Sequence, residues 1–201
     1  MAKPGGEQEQ STEVRILELA FPDDQAPPQL SVGIVSLVEL CDLAMPDPQA
    51  LIHRLREEAK FEAFPQDRAN ELGNMLALDN KVFSFPVRKL KHSLFVRDRH
   101  EALVHILVTE GESDQGKVVF CSAIFNGALE ADAVKAAVHV TKRQPITGAT
   151  VTNAGGATLR RVFWDVEGAS GIRGFMVTGP KDVEAINQLR AFTAFNLVQA
   201  K

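Results

Sequence analysis

The sequence has no tyrosine, a single tryptophan and only two cysteines among its 201 residues. The cysteines, Cys41 and Cys121, form no Cys-x-x-Cys pair, which excludes a zinc ribbon and a thioredoxin-type redox motif. No apolar run approaches the roughly 18–20 residues that a helix needs to cross a bilayer. Excess positive charge is also missing, for the formal charge is −4. Residues 1–30 carry all of it, with six acids against two bases, so the remaining body is neutral. A neutral body argues against non-specific nucleic-acid binding, which needs Lys and Arg to neutralise phosphates. It argues equally against electrostatic attachment to an anionic membrane. Compositional bias is absent too: 45% apolar and 24% charged residues are globular averages, so disordered, collagen-like and coiled-coil classes are excluded.

What remains is one α+β domain, residues 13–201, behind a mobile polar tail at 1–12. Residues 31–77 read as a helical part. Ile34, Leu37, Val38 and Cys41 recur at spacings of three and four, so they share a helix face over 31–44. Asp47 caps a second helix with Pro48 at its first position, where the missing N–H costs nothing. A third helix lies between Gln66 and Ala77. Residues 82–201 read as a sheet with helices. Short strands fall at 82–87, 102–109 and 117–125, the last two as a hairpin with a long loop. A helix follows over about 130–142, with Glu130 and Asp132 suiting its N-terminal dipole. Strands at 159–166 and 172–178 form a second hairpin, and Pro180 opens a terminal helix to about Val198. The ββα-ββα order predicts a four- to five-stranded antiparallel sheet with both helices on one face and the helical N-terminal third packed on it.

Each candidate for chemistry has a plain structural alternative. His100 and His105 are one residue too far apart for a zinc-protease helix, and on a strand they face opposite ways. The five histidines reach ligand spacing neither with one another nor with the cysteines, so no metal is expected. Gly168-Ala169-Ser170-Gly171 is one residue short of a nucleophile elbow and joins two strands. The glycines at 155, 156, 168, 171 and 174 sit in hairpins, not between strand and helix, so they do not cradle a phosphate and no cofactor is expected. Trp164 alternates with Val162 and Val166, a core pattern. The run Arg88, Lys89, Lys91, His92, Arg97 and Arg99 is basic against a neutral body. It reads as an anion or partner surface, or as a solvated linker between helices and sheet.

Cys41 lies on the apolar face of its helix, and Cys121 alternates with Val119, Ala123 and Phe125. The two are expected to be buried neighbours. In an oxidising compartment they could bond, closing a loop of about 80 residues at a gain of roughly 4–5 kcal/mol. In a reducing one they are two buried hydrophobes.

The segments CDLAMPDPQALIHRLREEAKFE and VVFCSAIFNGALEADAVKAAV set a helical cysteine before a helix, and a strand cysteine before another. Over residues 31–140 this order resembles a group of small uncharacterised exported proteins of alphaproteobacteria. The resemblance implies that Cys41 and Cys121 pair, and it brings no activity. The polar start has no apolar h-region, so the chain as written reads as cytoplasmic, with a mature periplasmic chain as the alternative.

With every catalytic constellation failing on spacing, the reading leans away from an enzyme. It favours a non-catalytic binding or accessory protein acting through a protein surface, with a homodimer through the terminal helix as one form of it. The alternative is an enzyme, or a carrier of a small ligand or lipid, whose site joins distant residues such as His92, Asp98, Arg99 and His105.

Overall fold

Alternating side chains make a strand bury one face, and a strand apolar at every position must be covered on both. The computed structural model is built around that second case. It describes residues 47–78, 86–99, 102–125, 130–141, 144–153, 155–164, 171–182 and 189–199. Its strands are β1 (Glu62–Ala63), β2 (Arg88–Arg99), β3 (Ala102–Ser113), β4 (Gly116–Phe125), β5 (Pro145–Thr152), β6 (Thr158–Trp164), β7 (Gly171–Pro180) and β8 (Arg190–Gln199). They form one eight-stranded sheet in the order β1-β2-β3-β4-β8-β7-β6-β5. Every neighbouring pair is antiparallel. Two four-stranded meanders therefore meet at their last strands, β4 and β8, in the middle of the sheet.

That seam is buried on both faces. Phe120 stands opposite Phe195, and Ala123 opposite Phe192. Ser122 and Thr193, also opposite, share a hydroxyl–hydroxyl bond of 2.8 Å, so these two buried hydroxyls satisfy each other. On one face Phe192 meets Trp164 edge-on and stacks on Phe175. On the other, Phe120 and Phe195 tilt together at 6.3 Å.

Helices cover both faces. Helix α1 (Pro48–His53) begins where the Asp47 carboxylate accepts the Gln49 N–H, and it continues as a π-helical turn over Arg54–Glu58. Leu51 and Leu55 from this segment pack with Phe95, Cys121, Trp164 and Phe192. Helix α3 (Glu130–Thr141) adds Ala133 and Ala137 to the same cluster, and the Glu130 carboxylate accepts from Arg160 at 2.7 Å, tying the first turn of α3 to β6. Helix α2 (Gln66–Leu76) lies on the opposite face, where Ala69 and Leu76 pack with Leu94, Leu107, Phe120 and Phe195. It ends on Ala77 in the left-handed region. Among the described residues, no helix is long and apolar enough to cross a membrane.

The architecture corrects the expected one. A helical N-terminal third on a four- to five-stranded sheet is replaced by an eight-stranded sheet with short helices on both faces. Four strands, β1, β2, β5 and β8, stand where sequence predicts none. The basic run at 88–99 is β2, a long strand and no linker, and the Thr-rich segment at 145–152 is β5. The expected terminal helix is corrected most sharply, because residues 190–199 are β8. Its broad apolar arc arises because a central strand is buried on both faces, and a short run apolar throughout carries no period by which to tell strand from helix. With it falls the homodimer through a terminal helix, since that segment sits between β4 and β7. The expected long loop between the first hairpin strands shrinks to Asp114-Gln115, held by the Ser113 hydroxyl accepting from the Gln115 N–H. The helices expected at 66–77 and 130–142 are present as α2 and α3.

Candidate functional site

The basic run does not form one surface. Arg88, Lys89 and Lys91 are exposed, but Arg88 pairs with Asp114 and Lys89 with Glu112 across the β2–β3 ladder. That bond to Lys89, and its charge, hold the Glu112 carboxyl below the usual carboxylate range. Arg97 lies half-buried over the Phe61 ring at 5.9 Å. His92 is turned the other way, 5% exposed beneath α2. Its Nδ1 lies 2.8 Å from the Thr109 hydroxyl, and its backbone oxygen accepts from Gln66. The side chains of Asp98 and Arg99 lie outside the described residues, as do Cys41, His100 and Ser170. Cys121 is fully buried in the α1–α3 side of the core.

His92 and His105 do not converge. His105 stands opposite Val96, four residues along β2 from His92, or about 13 Å. Among the described residues, no three of His, Cys, Asp and Glu lie together so as to hold a metal ion. Gly174 is within β7, and Gly155 and Gly156 close the β5–β6 turn.

The structure instead brings together residues that sequence reasoning passed over. On the α2 face, one register row runs Ile124, Ala191, Thr178 and Arg161 across β4, β8, β7 and β6. Arg161 is fully buried, and its Nη2 donates to the carbonyls of Leu76 and Ala77. A cation at a helix C-terminus meets both the unpaired carbonyls and the negative end of the dipole. Arg161 thereby pins the end of α2 over the sheet, as Gln66 and His92 pin its beginning.

Beside the pinned end opens a cleft of about 360 Å³. One wall is α2, through Leu72, Met75 and Leu76; the floor is Ile124 and Thr178; Asn153, Ala157 and Leu159 stand opposite, and Pro180 and Leu189 lie at the β7–β8 end. Met75 and Leu189 are more than a third exposed. Among the described lining residues, two side chains are polar. Asn153 is engaged, because its Nδ2 donates to the Met75 carbonyl and its Oδ1 accepts from the Ala157 N–H. Thr178 is 1% exposed, and among the described residues its hydroxyl has no hydrogen-bond partner. A signal for this site did exist in the sequence: Arg161 occupies the inward phase of a strand with Phe163, where a charge calls for a buried partner.

Comparison with protein-family models, curated proteins and solved structures finds no match.

Proposed function

We propose that this protein is a non-catalytic binding protein that takes a small, mainly apolar molecule in the cleft between α2 and β7. The observation that carries the reading is the cleft itself. It offers about 360 Å³ walled almost wholly by carbon, with apolar side chains standing open at its rim. A space of that size with convergent apolar walls and few polar groups is the usual form of a small-ligand site. Among the described residues its lining holds a hydroxyl and an amide but neither a carboxylate, an imidazole nor a thiol. Such a lining recognises shape and supplies no proton-transfer group or activated nucleophile. This favours the carrier form of the binding hypothesis over an enzyme.

The test is direct titration with pyrene, a rigid hydrocarbon with no hydrogen-bonding group. Saturable binding to one site is expected, lost in Ala157→Trp, where an indole fills the cleft from its exposed wall. An unchanged far-ultraviolet circular dichroism spectrum would show that the variant still folds. Absence of pyrene binding to the unmodified protein would refute the proposal.

A further inference from the structure

Resting on that reading, we infer that the ligand is an amphiphile with one uncharged hydrogen-bonding head, and that Thr178 selects for that head. A buried hydroxyl is normally hydrogen-bonded, because stripping it of water without replacement is costly. Thr178 breaks the rule at the floor of an otherwise apolar cleft. The seam shows the ordinary solution nearby: Ser122 and Thr193, on the same sheet face, satisfy each other. Asn153, the other polar lining group, is engaged at both ends of its amide. Thr178 is thus, among the described lining residues, the side chain whose polar atom has no partner at all.

Its hydroxyl is closed to solvent, so another atom of the residue now meets the cleft. Threonine carries a methyl and a hydroxyl of similar size on one carbon. A 120° rotation about χ1 brings the hydroxyl to the position the methyl holds and moves the methyl to the third staggered position, and more than one χ1 rotamer is common in strands. Since the hydroxyl has no partner to lose, turning it toward a ligand breaks no existing bond.

The charge of the head follows from the neighbours. Arg161 stands directly opposite Thr178 on the same face, which makes a cationic head unfavourable. An anionic head would compete for a guanidinium that already holds the Leu76 and Ala77 carbonyls. Drawing it away would release the end of α2, which is a wall of the cleft. A neutral alcohol, ketone or amide makes its bond to Thr178 and leaves that arrangement alone. The inferred class is therefore a hydrocarbon body with a single neutral polar end.

The experiment is displacement of bound pyrene by n-octanol and by octanoate, with the unmodified protein and Thr178→Val. Valine keeps the shape and removes the hydroxyl. Pyrene should bind both proteins alike, since it makes no hydrogen bond. Octanol should displace it from the unmodified protein at about tenfold lower concentration than from Thr178→Val, the scale of one hydrogen bond. Octanoate should be the weaker competitor at neutral pH. Equal octanol displacement from the two proteins would overturn the role of Thr178, and stronger displacement by octanoate would overturn the neutral head. Failure of pyrene to bind either protein would overturn the cleft reading instead.

Discussion

Replacing Gly73 by alanine should destabilise this protein, although the same change in the middle of most helices is favourable. Gly73 lies inside α2 and is buried against the sheet. A Cβ built there falls within the van der Waals envelope of Cε1, Nε2 and Nδ1 of His92. The ring has nowhere cheap to go, because it is 5% exposed and its Nδ1 is held at 2.8 Å by the Thr109 hydroxyl. Either α2 lifts or the ring turns and breaks that bond. Overpacking costs about 1–3 kcal/mol, and a buried hydroxyl left unpaired costs about 1–3 kcal/mol more if the ring turns. Against this stands the helix preference for Ala, worth roughly 1 kcal/mol. Taking the middle of each range, the net loss is about 1 kcal/mol if α2 lifts and about 3 kcal/mol if the ring turns, read as a fall in Tm of roughly 2–12 °C for a chain of this size. Thermal and urea unfolding of Gly73→Ala, His92→Ala and the double variant measure it. The double variant should recover more than about 1 kcal/mol over additivity, because the alanine then enters the space the ring has left. A Gly73→Ala protein as stable as the parent, or strict additivity, would refute the close approach of α2 to β2.

Other outcomes follow from the sheet. Removing residues 190–201 should abolish folding, since Phe192, Phe195 and Leu197 of β8 are at most 3% exposed and their burial is worth roughly 5–9 kcal/mol together; a soluble truncated chain with a cooperative melt would contradict the central position of β8. Glu112 should titrate below an ordinary glutamate, because Lys89 bonds its carboxylate and then adds its charge. A depressed folded-state pKa gives a small stabilisation that is present above the unfolded pKa and lost as pH falls through the folded one. Carbon-detected NMR titration should show the Glu112 midpoint rising in Lys89→Gln, and an unmoved midpoint would dismiss the pair. Cys41 and Cys121 are expected to pair when the protein is made in an oxidising compartment. Intact mass should then be lower by two hydrogens before reduction, and alkylation of both thiols without reduction would reject the pairing.

The elements that were legible in the sequence are those whose caps and periods do not depend on tertiary surroundings. Asp47-Pro48 starts α1 as its chemistry requires, and α2 and α3 show one-sided apolar stripes. The seam was illegible for the opposite reason. In β8 every residue from Arg190 to Phe195 is buried, so no alternation survives to mark a strand, and Phe192 and Phe195 imitate a helical step of three. Strand β2 was hidden by its charges: Arg88, Lys89 and Lys91 suggest a solvated run, yet Leu94, Phe95 and Val96 are core. Arg88 and Lys89 belong to the β2–β3 end, where Asp114 and Glu112 answer them. The cleft could not be read from sequence spacing, because its walls come from α2, β4, the β5–β6 turn and the end of β7. Arg161 alone left a trace there, as a charge in core phase.

The position of the cleft has a geometric cause. Eight strands at about 4.8 Å spacing make a sheet roughly 34 Å across. Helix α2 has 11 residues and reaches only about 16 Å. It cannot cover its face, and its placement is fixed at both ends: Gln66 and His92 hold the beginning over β2, and Arg161 holds the end from β6. The long guanidinium arm bridges what the helix backbone does not reach, and the room left beside that arm, above Thr178 and Ile124, is the cleft. The two features are therefore one. Shortening the arm by Arg161→Met would leave the Leu76 and Ala77 carbonyls without this donor and loosen the wall formed by Leu72, Met75 and Leu76. Conversely, a molecule that fills the cleft touches that wall and the sheet together, so it holds α2 down. Ligand binding should thus raise Tm by simple mass action, and the gain should shrink in Arg161→Met, whose cleft has lost the fixed end of its wall.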